Sequence, residues 1–188
     1  MTVRIEIRNT LEALEKGKTI LYPTDTMWGI GCDATNAEAV EKVYALKKRS
    51  RDKPLLCLVS DIIMLRDYLE SIPEAAFDVI AFSNQPTTII YPCPSGIAEN
   101  LKASDGSVGF RIVNENFCQE LIKKFGKPIV ATSANVSGRP IPQSFRTIED
   151  EIIEGVEHVV NLHLSKKYAH PSTVIKVEND NTTTTIRE

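Results

Sequence analysis

Ala45-Leu46-Lys47-Lys48-Arg49-Ser50-Arg51-Asp52-Lys53-Pro54-Leu55 is the stretch where a helical pattern stops and a strand-like pattern begins. Upstream, Asn36 is a capping residue, and Ala37 to about Lys48 carries Val40, Val43 and Tyr44 on one face, which predicts an amphipathic helix. Downstream, Leu55–Val59 is a continuous apolar run of strand length. Between the two, residues 47–53 hold five cations and one acid, a local charge of +4 in a chain of net charge −3. Cations at a helix end complement its exposed carbonyls, which accounts for two or three of them. Arg51 and Lys53 continue past Ser50 into a Pro-terminated turn, so the segment is also a candidate anion site.

The same change of period repeats on both sides. Helices are expected at residues 9–16, capped by Asn9 or Thr10 and closed by Gly17. Others are expected at Asp61–Leu69, Pro73–Phe82, Asn114–Phe125 (stopped by Gly126) and Ser144–Ile153. Asp61 is a cap candidate there, and Pro73 suits a first-turn position. Strands are expected at Thr19–Tyr22, Thr87–Tyr91, Ser107–Val113, Pro128–Ala131, Val156–Leu162 and Thr173–Val177. Helices and strands interleave, and the one low-complexity tract is Thr182–Thr185. This predicts one α/β domain over residues 1–188, built on a mixed sheet.

Composition narrows the functional classes. The chain has 188 residues, 42% of them hydrophobic and 25% charged, which suits one globular domain with a real core. It has no apolar run of about 18 residues, and its charged, alternating N-terminus is unlike a signal peptide. No membrane span is therefore read. Cys32, Cys57, Cys93 and Cys118 lie far apart, and three of them sit in apolar or strand-like settings, as expected of reduced thiols in the cytoplasm. His158, His163 and His170 lack the Cys or carboxylate spacing of a zinc site and are expected to be structural or on the surface.

Four polar segments follow or enter predicted strands, where open α/β sheets place ligands. Pro23–Gly31 sets hydroxyls, Asp25 and Trp28 between a strand and glycines, as a small polar ligand or a capped turn would require. The cation run is the second. In the third, Ser107–Arg111, alternation puts Ser107, Gly109 and Arg111 on one strand face, where the arginine needs an anion or a carboxylate partner. In the fourth, Ala131–Pro140, hydroxyls, amides and backbone N–H groups can wrap a carboxylate or phosphate. No P-loop, GxGxxG or Gly-x-Ser-x-Gly elbow is present, so covalent serine catalysis and the common nucleotide motifs have no support.

Together these segments resemble the YrdC family, the threonylcarbamoyl-AMP synthases. The match rests on Tyr22-Pro-Thr-Asp-Thr26 with Gly29, Lys47-x-Arg49-x-x-x-Lys53-Pro54, Ser107 with Arg111, and Ser133-Ala-Asn135-x-Ser137-Gly138, with a late Ser172–Ile175 strand. It spans Ile20 to about Arg187. The resemblance implies a YrdC/RibB-like twisted mixed sheet with flanking helices and a large concave cavity. It implies that L-threonine, bicarbonate or CO2, and ATP are joined into threonylcarbamoyl-AMP and pyrophosphate. Partner proteins would then transfer the threonylcarbamoyl group to tRNA, with at most weak direct RNA binding by this chain. By position, Thr26, Arg111, Ala131 and Asn135 would hold threonine. Arg49, Lys53, Ser107, Ser133, Ser172 and Arg187 would hold ATP with Mg2+. Lys47, Arg49 and Lys53 would be the catalytic cations. Ser137–Pro142 is the expected covering loop. The alternative function on this fold is a non-catalytic RNA- or ribosome-binding protein; a third is a carbamoyl-transfer module, which normally lies within a larger zinc-finger-containing chain. Trp28 stands where the family usually carries tyrosine.

Overall fold

The computed structural model describes residues 2–168 and 171–187; the His170 expectation lies outside them. The strands are β1 (Ile20–Pro23), β2 (Trp28–Gly31), β3 (Leu56–Val59), β4 (Thr87–Tyr91), β5 (Val108–Ile112), β6 (Ile129–Ser133), β7 (His158–Val159), β8 (Thr173–Val177) and β9 (Thr183–Arg187). Among the described residues they form one sheet in the order β7-β1-β2-β6-β3-β5-β4-β8-β9. β3 and β5, β4 and β8, and β1 and β7 pair parallel, whereas β1–β2, β2–β6, β3–β6, β4–β5 and β8–β9 are antiparallel. The mixed sheet is as expected.

The helices are α1 (Val3–Glu15), α2 (Ala37–Leu46), α3 (Ile62–Arg66), α4 (Glu74–Phe82), α5 (Asn116–Phe125) and α6 (Asp150–Gly155). Asn36 caps α2 by accepting from the N–H groups of Glu38 and Ala39, and Asp61 caps α3 through Ile63 and Met64. Each such cap is worth about 1 kcal/mol. Gly126 ends α5 with φ +71°, a left-handed stop that a β-carbon disfavours. None of the described helices is long and apolar enough to cross a membrane.

Several expectations fail in detail, among them the strand expected over Val156–Leu162, which is reduced to the two residues of β7. α1 starts at Val3, and neither Asn9 nor Thr10 is its cap: the N-cap is Thr2, and Thr10 lies mid-helix with its hydroxyl 3.0 Å from His158 Nε2. Pro73 is the N-cap of α4, just outside its first turn. The helix expected over Ser144–Ile153 splits into a 3-10 turn at Phe145–Thr147 and then α6. Two strands, β2 and β9, were not anticipated.

The helices cover the sheet unequally. α2, α3 and α4 pack on one face against Leu21, Ile30, Cys57, Ile89 and Phe110. On the other face α1 and α5 cover Ile20, Tyr22, Leu58 and Ile129 with Ile7, Leu14, Phe117 and Leu121. Each large side chain buried this way contributes roughly 1.5–3 kcal/mol. That second helical layer stops short, leaving the surface over β2, β6, β3, β5 and β4 as a cleft.

Cys32, Cys57 and Cys118 are buried free thiols and Cys93 is exposed. Burial pushes the Cys57 thiol up to about 12, so it stays protonated and inert.

Candidate functional site

The cleft has a volume of about 240 Å3. Its floor is set by strand alternation: Gly29, Leu56, Thr88, Gly109, Arg111 and Ala131 point into it from five neighbouring strands. Arg49 and Pro54 enter from the α2–β3 turn, Ser172 and Arg187 from β8 and β9. The basic groups are three arginines, 49, 111 and 187, and no Asp or Glu lines the cleft among the described residues. Around them stand the hydroxyls of Thr24, Thr26, Thr88, Thr132, Ser133 and Ser172. A concave surface of this make-up attracts an anion and can hydrogen-bond it in fixed geometry.

The β1–β2 turn is locked by Thr24. Its hydroxyl donates to Met27 O (2.8 Å) and accepts from the N–H groups of Thr26 and Met27, both at 3.2 Å. This places Thr26 on the cleft wall and Asp25 beneath it. Arg111 is 4% exposed; its Nη2 lies 3.0 Å from Asp25 Oδ1, and its Nε has no acceptor among the described residues. The carboxylate partner foreseen for Arg111 is therefore present, yet the guanidinium retains donor capacity on a residue lining the cleft.

Ser172 Oγ lies 2.9 Å from Thr88 Oγ1, and its carbonyl accepts from Arg187 Nε (3.2 Å) and Nη2 (2.9 Å). The β8–β9 hairpin thus delivers Ser172 and Arg187 as a unit. Arg111 and Arg187 both line the cleft, and burial, then the Arg111 charge, lower the Arg187 pKa. Ile141, in the segment expected to cover the cleft, is part of its lining.

Other expected residues lie elsewhere. Lys47 is turned inward and is 1% exposed; its Nζ donates to Ser133 O and to Asn135 O (2.7 Å), and its own carbonyl accepts from Ser137 N (2.8 Å). It pins the 133–137 loop at three points. Burial and the Arg49 charge bring its pKa from 10.5 down to about 7. Asn135 Nδ2 donates to Val136 O and Arg139 O, so this side chain shapes the loop and does not line the cleft. Ser107 donates its hydroxyl to Asp105 Oδ1 (2.6 Å) and also lies off the cleft lining. That bond, with Lys176 nearby, holds the Asp105 carboxyl down at about 2.

The cation run is not one anion-binding turn. Lys48 pairs with Glu151 and Arg51 with Glu41, and Arg49 braces the turn through Lys53 O (2.7 Å) and Pro54 O (3.2 Å). Of the five cations Arg49 alone lines the cleft; Lys53 is exposed, with no acceptor among the described residues. The charge concentration is real in sequence, but the acids of α2 and α6 neutralise part of it in space.

Trp28 is fully buried, its ring 5.0 Å from that of Phe145, and stays out of the cleft. Sequence reasoning missed Thr24 and Thr88 as lining hydroxyls and Asp25 as the partner of Arg111. The threonine-rich turn was a usable signal for the first; the β4–β8 pairing that brings Thr88 to Ser172 was not readable.

A family model named Sua5/YciO/YrdC and described as "Telomere recombination" matches residues 12–188. A protein of Pseudoalteromonas translucida named threonylcarbamoyl-AMP synthase is 30% identical over 179 residues, covering 93% of this chain and 94% of its own. The crystal structure of P. abyssi Sua5 complexed with L-threonine superposes with a TM-score of 0.79 at 25% identity, over 91% of this chain. This chain spans 50% of that longer protein. E. coli YciO shares the fold, with a TM-score of 0.84 at 22% identity over 100% of this chain and 90% of its own. The family-model match over residues 12–188 makes this chain a member of the Sua5/YciO/YrdC family.

Proposed function

We propose that the protein is a threonylcarbamoyl-AMP synthase, acting as a nucleotidyltransferase on L-threonine, bicarbonate or CO2, and ATP. The observation that carries this reading is a cleft with three arginines and a ring of hydroxyls, undiluted by any carboxylate among its described lining residues. The substrates are a carboxylate and a polyphosphate, and both call for such a surface. The name of the Pseudoalteromonas relative and the threonine complex of P. abyssi Sua5 support it.

In this reading the threonine amine adds to CO2 and loses a proton, giving a carbamate. A carbamate oxygen attacks the α-phosphorus of ATP, the bond to the bridging β-oxygen breaks, and pyrophosphate leaves. Charge grows on the phosphoryl oxygens and the leaving group, so fixed cations contribute most of the catalysis. Arg111 and Thr26 hold threonine, the first at its carboxylate and the second at its hydroxyl. Arg49, Arg187 and the mobile charge of Lys53 take the phosphates, and Ser133 and Ser172 hydrogen-bond the nucleotide. Ala131 forms part of the floor. Lys47 and Asn135 act at one remove, by holding the 133–137 loop in place.

Magnesium would enter on the nucleotide phosphates, because the cleft offers it no carboxylate. No group of three His, Cys, Asp or Glu able to hold a metal occurs among the described residues. Partner proteins would transfer the product to tRNA, and the buried thiols suit a reducing cytoplasm. Incubation with 13C-bicarbonate, ATP and threonine tests the reading: a labelled threonylcarbamoyl-AMP mass supports it, and its absence in protein that binds both ATP and threonine refutes it.

A further inference from the structure

β4 and β5 have two concave faces. Alternation sends Thr88, Ile90, Gly109 and Arg111 to the cleft, and sends Ile89, Tyr91, Phe110 and Ile112 to the opposite side. There a second cavity of about 240 Å3 lies beneath α4. Leu65, Val79 and Ile80 supply its helical wall, and Phe110 and Ile112 its floor. Its polar residues are Tyr91, Asp25, Ser83, Thr87 and the amides Asn84, Gln85 and Asn114, most of them within the segment 83–87. No Lys, Arg or His lines it among the described residues, so its charge character is the reverse of the cleft.

One of these polar atoms is buried and unpartnered among the described residues. It is the hydroxyl of Tyr91, a residue 1% exposed; the Asp25 carboxylate is already met by Arg111 at Oδ1 and by Asn114 N at Oδ2. Leaving such an atom unsatisfied costs about 1–3 kcal/mol, which a bound hydroxyl or ammonium would recover. An apolar pocket with a few convergent polar groups is the usual form of a small-molecule site. A buried apolar cavity of about 150 Å3 in an unrelated protein already accepts benzene, so this one is large enough.

We propose that this cavity is a second ligand site, for a small neutral or cationic amphipathic molecule. The apolar body would lie between α4 and Phe110, with a hydroxyl or ammonium toward Tyr91 and Asp25. Anions are excluded by the carboxylate. Asp25 joins the two faces: Oδ2 accepts from Asn114 N (3.1 Å) at the rim of this cavity, and Oδ1 faces Arg111 in the cleft. An ammonium drawn to Asp25 would therefore weaken the hold on Arg111. That coupling rests on the proposed role of Arg111 in binding threonine; the site itself does not.

The test uses the whole protein with labelled isoleucine methyls, titrated with benzyl alcohol, benzylamine and benzoate. The first two should shift the Ile80, Ile89 and Ile112 methyls saturably, with little change at Ile90 and Ile141 in the cleft, and benzoate should shift none. Tyr91→Phe should weaken benzyl alcohol about fivefold, and Ile80→Trp, filling the cavity from α4, should abolish binding. No saturable shift, an equal response to benzoate, or largest shifts at Ile90 and Ile141 would overturn the proposal. In threonine-dependent pyrophosphate release, benzylamine should raise the threonine KM and leave the ATP KM unchanged. An unchanged threonine KM at saturating benzylamine would refute the coupling. A protein without turnover in any condition would count against the proposed function, and the methyl titration would still decide the site.

Discussion

Replacing Lys47 with methionine should alter how stability depends on pH more than it alters stability itself. The Lys47 ammonium is buried, and its pKa falls from 10.5 to about 7. At 1.36 kcal/mol per pH unit, that gap corresponds to roughly 5 kcal/mol of cost for holding the charge in the fold. Methionine removes that cost but leaves the Ser133 and Asn135 carbonyls, to which Nζ donates, without their donor, at about 1–3 kcal/mol each. The two effects nearly cancel at neutral pH, so a single melting curve would say little. The slope is decisive. The unfolded chain keeps the proton up to about 10.5 while the folded chain releases it near 7, so the unfolded state binds more protons in that window and stability rises with pH across it. Urea denaturation of wild type and Lys47→Met at pH 7 and about pH 9.5 should show the wild type gaining roughly 3 kcal/mol relative to the variant. Profiles that stay parallel within about 0.5 kcal/mol would refute the inward-turned, partly neutral lysine.

Two further substitutions separate stability from function. Lys53→Ala removes an exposed side chain with no acceptor among the described residues, so unfolding free energy should stay within about 0.5 kcal/mol. Pyrophosphate release should nevertheless fall at least about tenfold if Lys53 reaches the nucleotide; full turnover would remove it from the site. Asp25→Asn leaves the Arg111 guanidinium buried without its carboxylate partner. It should cost about 3–5 kcal/mol in denaturant titrations, and a loss below about 1 kcal/mol would show that the pair is solvated.

Much of the sheet could be read from the sequence, because β3, β4, β6 and β8 are apolar or β-branched runs bounded by breakers. The misses have physical causes. Val3–Arg8 alternates like a strand, yet Ile7, Ala13 and Leu14 pack on α5, and that tertiary burial makes the segment helical. β2 was hidden because Trp28-Gly-Ile-Gly31 reads as a glycine-rich turn. Gly31 is required there: a β-carbon would collide with the Val130 carbonyl and sit 2.7 Å from the Tyr22 ring. β9 is an edge strand of exposed residues, three of its five threonine, with no apolar periodicity to announce it. At the site, Thr26, Arg49, Arg111, Ala131, Ser133, Ser172 and Arg187 do come together around one cleft. Lys47 turns toward carbonyls 86 and 88 residues away, which no local pattern encodes, whereas Ser107 and Asn135 are held by near neighbours, Asp105 and the Val136 and Arg139 carbonyls, that a local turn reading could have found.

The measurement closest to the central claim is pyrophosphate release from ATP, with threonine and bicarbonate supplied separately and together. Release that requires threonine and bicarbonate at once is the predicted result. Release indifferent to threonine, or none from protein that binds ATP and threonine, would contradict the account.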